Sequence, residues 1–265
     1  ELITGRDRVA SGSRGRRVDT GDVDAKDFGL RFDAERRLGS TTLVTGVDIS
    51  GRYGLHATNR FLEYNATGGG VRSDVFELAV DEARRIDAAV FAQLGGAAGP
   101  FGWSAGARLD SVKSKNSGGF FGERSNSETV PSGFVSGAWH IVPKLDLTAQ
   151  VSRGFREALL SDRYFRGISG RGFVVGNPDL DSESSVQYDV ALRWYDKRWR
   201  SALYVFRYQI DDFIERFTNG NDFAFRNRDR ATLNGVEFEV GASLPGNLDL
   251  TLGLSTLTGE IDGDT

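Results

Sequence analysis

Six side chains of complementary character fall close together between residues 156 and 171: Arg156, Arg163, Tyr164, Phe165, Arg166 and Arg171. Guanidinium groups interleaved with aromatic rings suit an anionic, aromatic ligand, held by charge-assisted hydrogen bonds and cation–π contact. The same residues would also serve as an ordinary charged loop meeting solvent or phosphate groups. A second basic group, Arg6, Arg8, Arg14, Arg16 and Arg17, reads as a solvated loop. The chain has no cysteine, which removes disulfides, thiolate nucleophiles and thiolate metal sites. Of the two histidines, His56 falls in a long connection and reads as solvated, while His140, beside a turn at Val142-Pro143, reads as an interior or interface residue. Glu237 and Glu239 share one face of a strand, a spacing that needs no acid–base chemistry to explain it. Gly68-Gly69-Gly70 is followed by no Lys-Ser/Thr and opens no helix, so it is not a phosphate loop. The expectation is binding without catalysis, with no protein-held metal and no cofactor.

The elements that must position these residues are strands. Apolar and polar side chains alternate with period two along most of the chain. Phe28, Leu30, Phe32 and Ala34 oppose Gly29, Arg31, Asp33 and Glu35. Leu43, Thr45, Val47 and Ile49 oppose Val44, Gly46, Asp48 and Ser50. The pattern returns from Phe101 to Asp110, Leu145 to Ser152, Ser185 to Trp194, Gly235 to Gly241 and Leu248 to Ser255, giving roughly ten strands of about ten residues, the length a tilted strand needs to cross a bilayer. From Val75 to Leu94 the apolar residues approach helical spacing; the alternation of Ile86, Ala88, Val90, Ala92 and Leu94 makes its second half a strand. No apolar run reaches the length of a membrane-crossing helix, so a chain that crosses a membrane must do so as a closed barrel.

Connections alternate between short and long. Short ones fall near 38–41, 95–100, 142–145, 196–198 and 244–247; long ones near 52–84, 112–131, 156–184, 212–231 and beyond 260. Outer-membrane barrels have this asymmetry, and a soluble sandwich has no reason for it. All four tryptophans, at 103, 139, 194 and 199, lie near short turns, as an interfacial girdle requires. The opposite face carries Asp48, Arg108, Asp146, Asp189, Arg193, Arg207, Glu237, Glu239 and Asp249, and needs water or a polar plug. The expected fold is all-β, an antiparallel up-and-down transmembrane barrel. A formal charge of −4 leaves no basic surface for nucleic acid.

Ser152-Arg153-Gly154-Phe155-Arg156-Glu157-Ala158, followed by Gly176-Asn177-Pro178-Asp179-Leu180, resembles the paired "FRAP" and "NPxL" boxes of TonB-dependent receptors. Gly106-Ala107-Arg108-Leu109-Asp110 resembles the "GxRxD" strand of that family, and Leu233-Asn234-Gly235-Val236-Glu237 its "GVE" strand. The residues that carry the resemblance are thus Phe155, Arg156, Asn177, Pro178, Leu180, Gly235 and Glu237. Ala158 stands where the first box usually has proline, so that box is degenerate.

The resemblance implies that residues 1–265 are the middle of a receptor barrel of about 22 strands, with the plug domain and closing strands outside the sequence. A start at Glu1 and the lack of any methionine fit the same expectation of a longer parent. It further implies residence in the bacterial outer membrane, contact with its lipid and lipopolysaccharide, and energy from the TonB complex acting through the plug. The implied cargo is a large scarce nutrient, foremost a ferric siderophore such as a ferric catecholate. Haem is disfavoured because residues 159–176 contain no histidine to ligate iron. The competing readings are a passive porin-like or adhesin barrel and, further off, a soluble β-sandwich.

Overall fold

The computed structural model describes residues 2–9, 16–65, 69–170 and 172–262. The strands are β1 (Leu2–Val9), β2 (Arg16–Leu38), β3 (Thr41–Tyr64), β4 (Val71–Ala98), β5 (Phe101–Asn116), β6 (Gly118–Gly119), β7 (Arg124–Val142) and β8 (Leu145–Arg156). After a short helix α1 (Leu160–Tyr164) come β9 (Arg166–Ser169), β10 (Gly172–Val175), β11 (Glu183–Tyr195), β12 (Trp199–Asn219), β13 (Asp222–Leu244) and β14 (Leu248–Ile261). Each long strand pairs antiparallel with its successor, so the wall runs β1-β2-β3-β4-β5-β7-β8-β11-β12-β13-β14. Among the described residues β1 and β14 have one neighbour each, and the wall is open between them.

Lipid on one side and a wet interior on the other account for the alternation. Leu30 stands across from Ile49 and Phe32 across from Val47, while Arg31 stands across from Asp48. The apolar partners are outward and exposed, Leu30 at 70%. Inward, Arg108 donates from Nε to both oxygens of Asp110 at 2.9 Å and reaches Asp48 as well. The guanidiniums of Arg31 and Arg108 lie over the Phe91 ring at 4.8 and 6.0 Å. The four tryptophans are exposed at the short-turn end, and the Trp139 ring stacks on Phe101 at 5.7 Å. One assignment changes: Arg207 faces outward, because it lies two residues beyond outward Val205 and across from outward Tyr188.

The short connections match their expected places, but most of the long ones are not loops. β3 and β4 continue to Tyr64 and from Val71, so the region 52–84 is a tall hairpin. β12 and β13 likewise meet at a turn after Asn219. The stretch from Val75, with its near-helical spacing, is continuous strand within β4. Above the lipid-facing level the wall bends: β2 and β3 shift register at Asp24/Lys26, β3 and β4 shift at Arg52/Leu55 and Leu55/Ala57, and Gly54 and Glu82 take positive φ. Bulges re-aim side chains. Here they switch the inward residues of β3 from even numbers (Gly46, Asp48) to odd ones (Leu55, Ala57, Asn59), which are buried.

That switch makes a protein core where the lower wall has none. Leu55 and Ala57 of β3, with Ala79, Val80 and Ala83 of β4, receive Leu160 and Tyr164 of α1. A second cluster joins Ala158 and Leu180 to Ile214. The segment 157–182 therefore folds back onto the inside of the long-connection end. Its β10 adds to β13 in parallel at Val174↔Phe223, while β9 packs near β1 to β4. One hairpin can touch both flanks only because the wall curls.

Candidate functional site

The base of this excursion is a clasp. Arg156, the last residue of β8, donates from Nε and Nη2 to the two carboxylate oxygens of Glu183, the first residue of β11, both at 2.6 Å. Glu183 Oε1 also accepts the Ile214 backbone N–H at 2.6 Å, so one carboxylate ties β8, β11 and β12 together. Within the excursion Arg163 donates to Glu157 Oε1 from Nε and Nη2, at 3.1 and 2.7 Å, and from Nη1 to the Pro178 carbonyl at 2.9 Å. Asn177 donates to the Phe225 carbonyl and accepts the Asp179 backbone N–H. Ser182 Oγ contacts the carboxylates of Glu128 and Glu157.

Two of the residues expected at a ligand are buried in protein. Arg163 and Tyr164 are each 1% exposed, with their polar atoms facing protein, so they hold the excursion in place and offer no surface to a ligand. Phe165 is half-buried against the core around α1. Arg171 lies outside the described residues, as do Arg14 and Gly68. Of the other basic residues expected in a loop, Arg6 and Arg8 are in β1, and Arg16 and Arg17 open β2. His56 is in β3, its Nδ1 3.5 Å from Asp81, and His140 Nδ1 lies 2.6 Å from Asp146 at the short-turn end.

Of the expected residues, Arg166 is the one whose guanidinium meets aromatic rings of other elements. Its Nη1 donates to both oxygens of Glu77, at 2.6 and 2.7 Å. Its guanidinium lies between two rings, 4.4 Å from the Phe120 centroid and 5.0 Å from that of Phe173. Phe173 meets Phe61 at 6.3 Å, and Arg17 covers Phe61 at 5.3 Å while bonding Asp19 at 2.6 Å. The Asn59 amide donates to the Arg166 carbonyl at 2.6 Å, and a Cβ on Gly167 would stand 2.2 Å from Asn59 Oδ1. Glycine is what lets the excursion approach β3 this closely. On β12, Arg216 lies over Phe223 at 4.9 Å and makes no ion pair among the described residues. The outcome is a series of contacts in the order Phe120, Arg166, Phe173, Phe61, Arg17, while Arg216 covers Phe223 beside Val174 of β10. Phe61, Glu77, Phe120, Phe173 and Arg216 escaped the sequence reading, and Arg17 was expected only in a solvated loop. Their strand partners decide which of them meet, and only the Arg–Phe interleaving hinted at them.

Among the described residues no group of three or more His, Asp or Glu side chains could hold a metal ion. Asp162 of α1 is pushed above the ordinary carboxylate range, chiefly by burial, against the opposing pull of the Leu159 N–H and of Arg156.

The model of the TonB-dependent receptor-like β-barrel matches residues 3–265. The chain belongs to that family. Solved structures agree in fold. The copper transporter OprC superposes with a TM-score of 0.73 at 20% identity, over 93% of this chain and 38% of that one. The FrpB iron transporter from Neisseria meningitidis gives 0.64 at 13% identity, over 93% and 40%. The ferric yersiniabactin uptake receptor FyuA from Yersinia pestis gives 0.65 at 13%, over 98% and 38%. The chain thus spans well under half the length of each of these structures. Among curated proteins none matches this chain. As a TonB-dependent receptor barrel it resides in the bacterial outer membrane, its short turns toward the periplasm and the excursion 157–182 at the outer mouth. Gly235 of the family-like "GVE" strand has a structural role: a Cβ there would stand 2.1 Å from the Phe206 ring, which lies flat across the strand inside the barrel.

Proposed function

We propose that the receptor to which this wall belongs imports a large, scarce, metal-bearing nutrient across the outer membrane, with energy supplied by the TonB complex acting through a plug. The cargo this mouth fits best is a ferric siderophore carrying aromatic and anionic groups. The observation that supports the reading is the series of contacts through Phe120, Arg166, Phe173, Phe61 and Arg17, with Arg216 on β12 nearby in the same end of the wall, whose positive charge no described carboxylate neutralises. Planar rings and guanidinium faces supply stacking and cation–π contact, and Arg216 supplies the charge-assisted hydrogen bond. Arg166 contributes its face rather than its charge, since Glu77 already balances it. Arg156 closes the clasp below this surface. With neither cysteine nor methionine in the chain, a bare soft metal ion finds no sulfur ligand here, which favours a metal arriving inside its own chelator.

Titrating the complete receptor with a ferric tris-catecholate, ferric citrate and a cupric salt tests this. The catecholate is expected to bind tightest. Arg216→Ala and Phe120→Ala should each weaken it about tenfold, the scale of one charge-assisted hydrogen bond or one cation–π contact. Undiminished binding in both variants overturns the site. Uptake that persists without TonB supports instead a passive porin-like or adhesin barrel.

A further inference from the structure

Phe120 and Arg166 reach their contact from different parts of the chain, the ring from the connection between β5 and β7 and the guanidinium from the excursion. Both are fixed to one short stretch of β4. Glu77 holds the Arg166 guanidinium. Further along the strand, the Ala79 carbonyl accepts the Phe120 backbone N–H at 3.1 Å, and the Asp81 carbonyl accepts that of Ser117 at 3.0 Å. Val80 and Asp81 pair with Gly119 and Gly118 of β6. Gly119 takes φ +82°, and a Cβ there would stand 2.5 Å from the Ala79 carbonyl oxygen, so glycine is what lets the connection lie this close to β4. The pleat of β4 therefore sets how far apart the two anchor points stand.

Two fully buried asparagines, Asn59 and Asn116, complete this fixture. Asn59 stands directly across from Glu77 and donates to the Arg166 carbonyl at 2.6 Å. Neighbouring residues of β3 and β4 thus hold Arg166 by its backbone and by its side chain. Asn116, the last residue of β5, donates from Nδ2 to the carbonyls of Gly118 and Gly122, at 2.6 and 2.8 Å, and closes the turn that carries Phe120. Neither Oδ1 atom has a partner among the described residues. A buried amide with its oxygen unpaired is unfavourable, so core stability does not account for either side chain. What each amide supplies is direction: it fixes a backbone carbonyl, and with it the group that backbone carries. We propose that Asn59 and Asn116 are positioning residues of the cargo site, acting through Arg166 and Phe120 respectively, which rests on the aromatic cargo proposed above. They hold the Phe120 ring centroid 4.4 Å from the guanidinium carbon, with the ring exposed to a planar ligand. Because they act on the ring, they set the preference for an aromatic chelate rather than the affinity for ferric chelates in general.

The complete receptor with 4-fluorophenylalanine at position 120 tests the placement before any ligand is added. Its fluorine resonance should move when Arg166→Gln removes the cation. Asn116→Asp and Asn59→Asp keep the side-chain shape but lose the donors, and each should move the resonance toward its Arg166→Gln position. Titrated with a ferric tris-catecholate, each asparagine variant should bind about tenfold more weakly, the loss expected of Phe120→Ala. Asn116→Asp/Phe120→Ala should lose no more than Phe120→Ala alone, because effects that run through one residue do not add. Ferric citrate, which offers no ring, should bind the variants and wild type alike. The proposal is overturned if the resonance keeps its wild-type position in both variants, or if the two losses add in full. It is overturned equally if citrate binding falls as far as catecholate binding, the mark of a general loosening of the mouth. If Asn116→Asp does not fold, Asn116→Ala replaces it. Catecholate binding indifferent to Phe120→Ala would sink the cargo reading, and the ligand-free resonance would still decide what the asparagines hold.

Discussion

Glu183 is the residue on which the excursion turns. Its side chain is 9% exposed and holds Arg156 through two bonds and the Ile214 backbone through a third. Glu183→Ala leaves the Ile214 N–H and a half-buried guanidinium without their acceptor. A charged hydrogen-bond partner of this kind is worth about 2 kcal/mol. Amide hydrogen exchange at Ile214 should therefore quicken by a factor of about thirty, and Glu183→Gln should lose much less, since its amide oxygen can still accept. Equal exchange in Glu183→Ala and wild type would remove the clasp from the account. The residue scale is also where sequence reading reached least far. Arg163 and Arg166 are three apart in one basic run, yet one is buried against Glu157 and the other is sandwiched between rings at the mouth. Nothing in residue type separates them; the direction in which α1 docks does. Arg207 misled for a related reason, because a charged residue in an alternating strand reads as inward until its cross-strand partners are known.

At the scale of elements, the alternation was legible wherever one face meets lipid and the other water. It faded above that level, where both faces are wet or packed on protein. Hence β3 and β4 look like loop and helix in their outer halves, although they are strand to Tyr64 and from Val71. The two family-like boxes were legible as motifs, but their purpose was not. Ala158 and Leu180 bury themselves with Ile214, and Arg156 meets Glu183, so the boxes frame and fasten the excursion. Its docking should depend on pH through Asp162. Burial raises this carboxyl above its unfolded value, so the docked state binds more protons than the released one. Docking is then strongest at acid pH and loses stability as pH rises through the raised value. Protease protection of residues 157–182 should accordingly decline in wild type as pH rises from below the ordinary carboxylate value through the raised one, and Asp162→Asn should flatten that dependence. Protection that instead increases with pH would contradict this origin.

For the whole molecule the governing claim is that the two faces of the wall meet different solvents. Spin labels on neighbouring residues of one strand test it: Leu203 faces out and Tyr204 faces in, where its hydroxyl accepts from Arg193 at 3.3 Å. In the complete receptor in a bilayer, oxygen should relax the label at 203 several-fold more than that at 204. Equal relaxation would remove the membrane orientation.

The reach of β4 has a consequence for how the receptor meets its surroundings. Twenty-eight residues in one strand, at about 3.3 Å each and tilted about 40°, climb roughly 70 Å along the pore axis, against an apolar belt about 25 Å tall. The barrel is therefore a chimney whose rim stands tens of ångströms clear of the lipid, amid the sugar coat. A solute captured at that rim has left the medium long before it is level with the bilayer, and an antibody could cap the opening without ever touching the membrane.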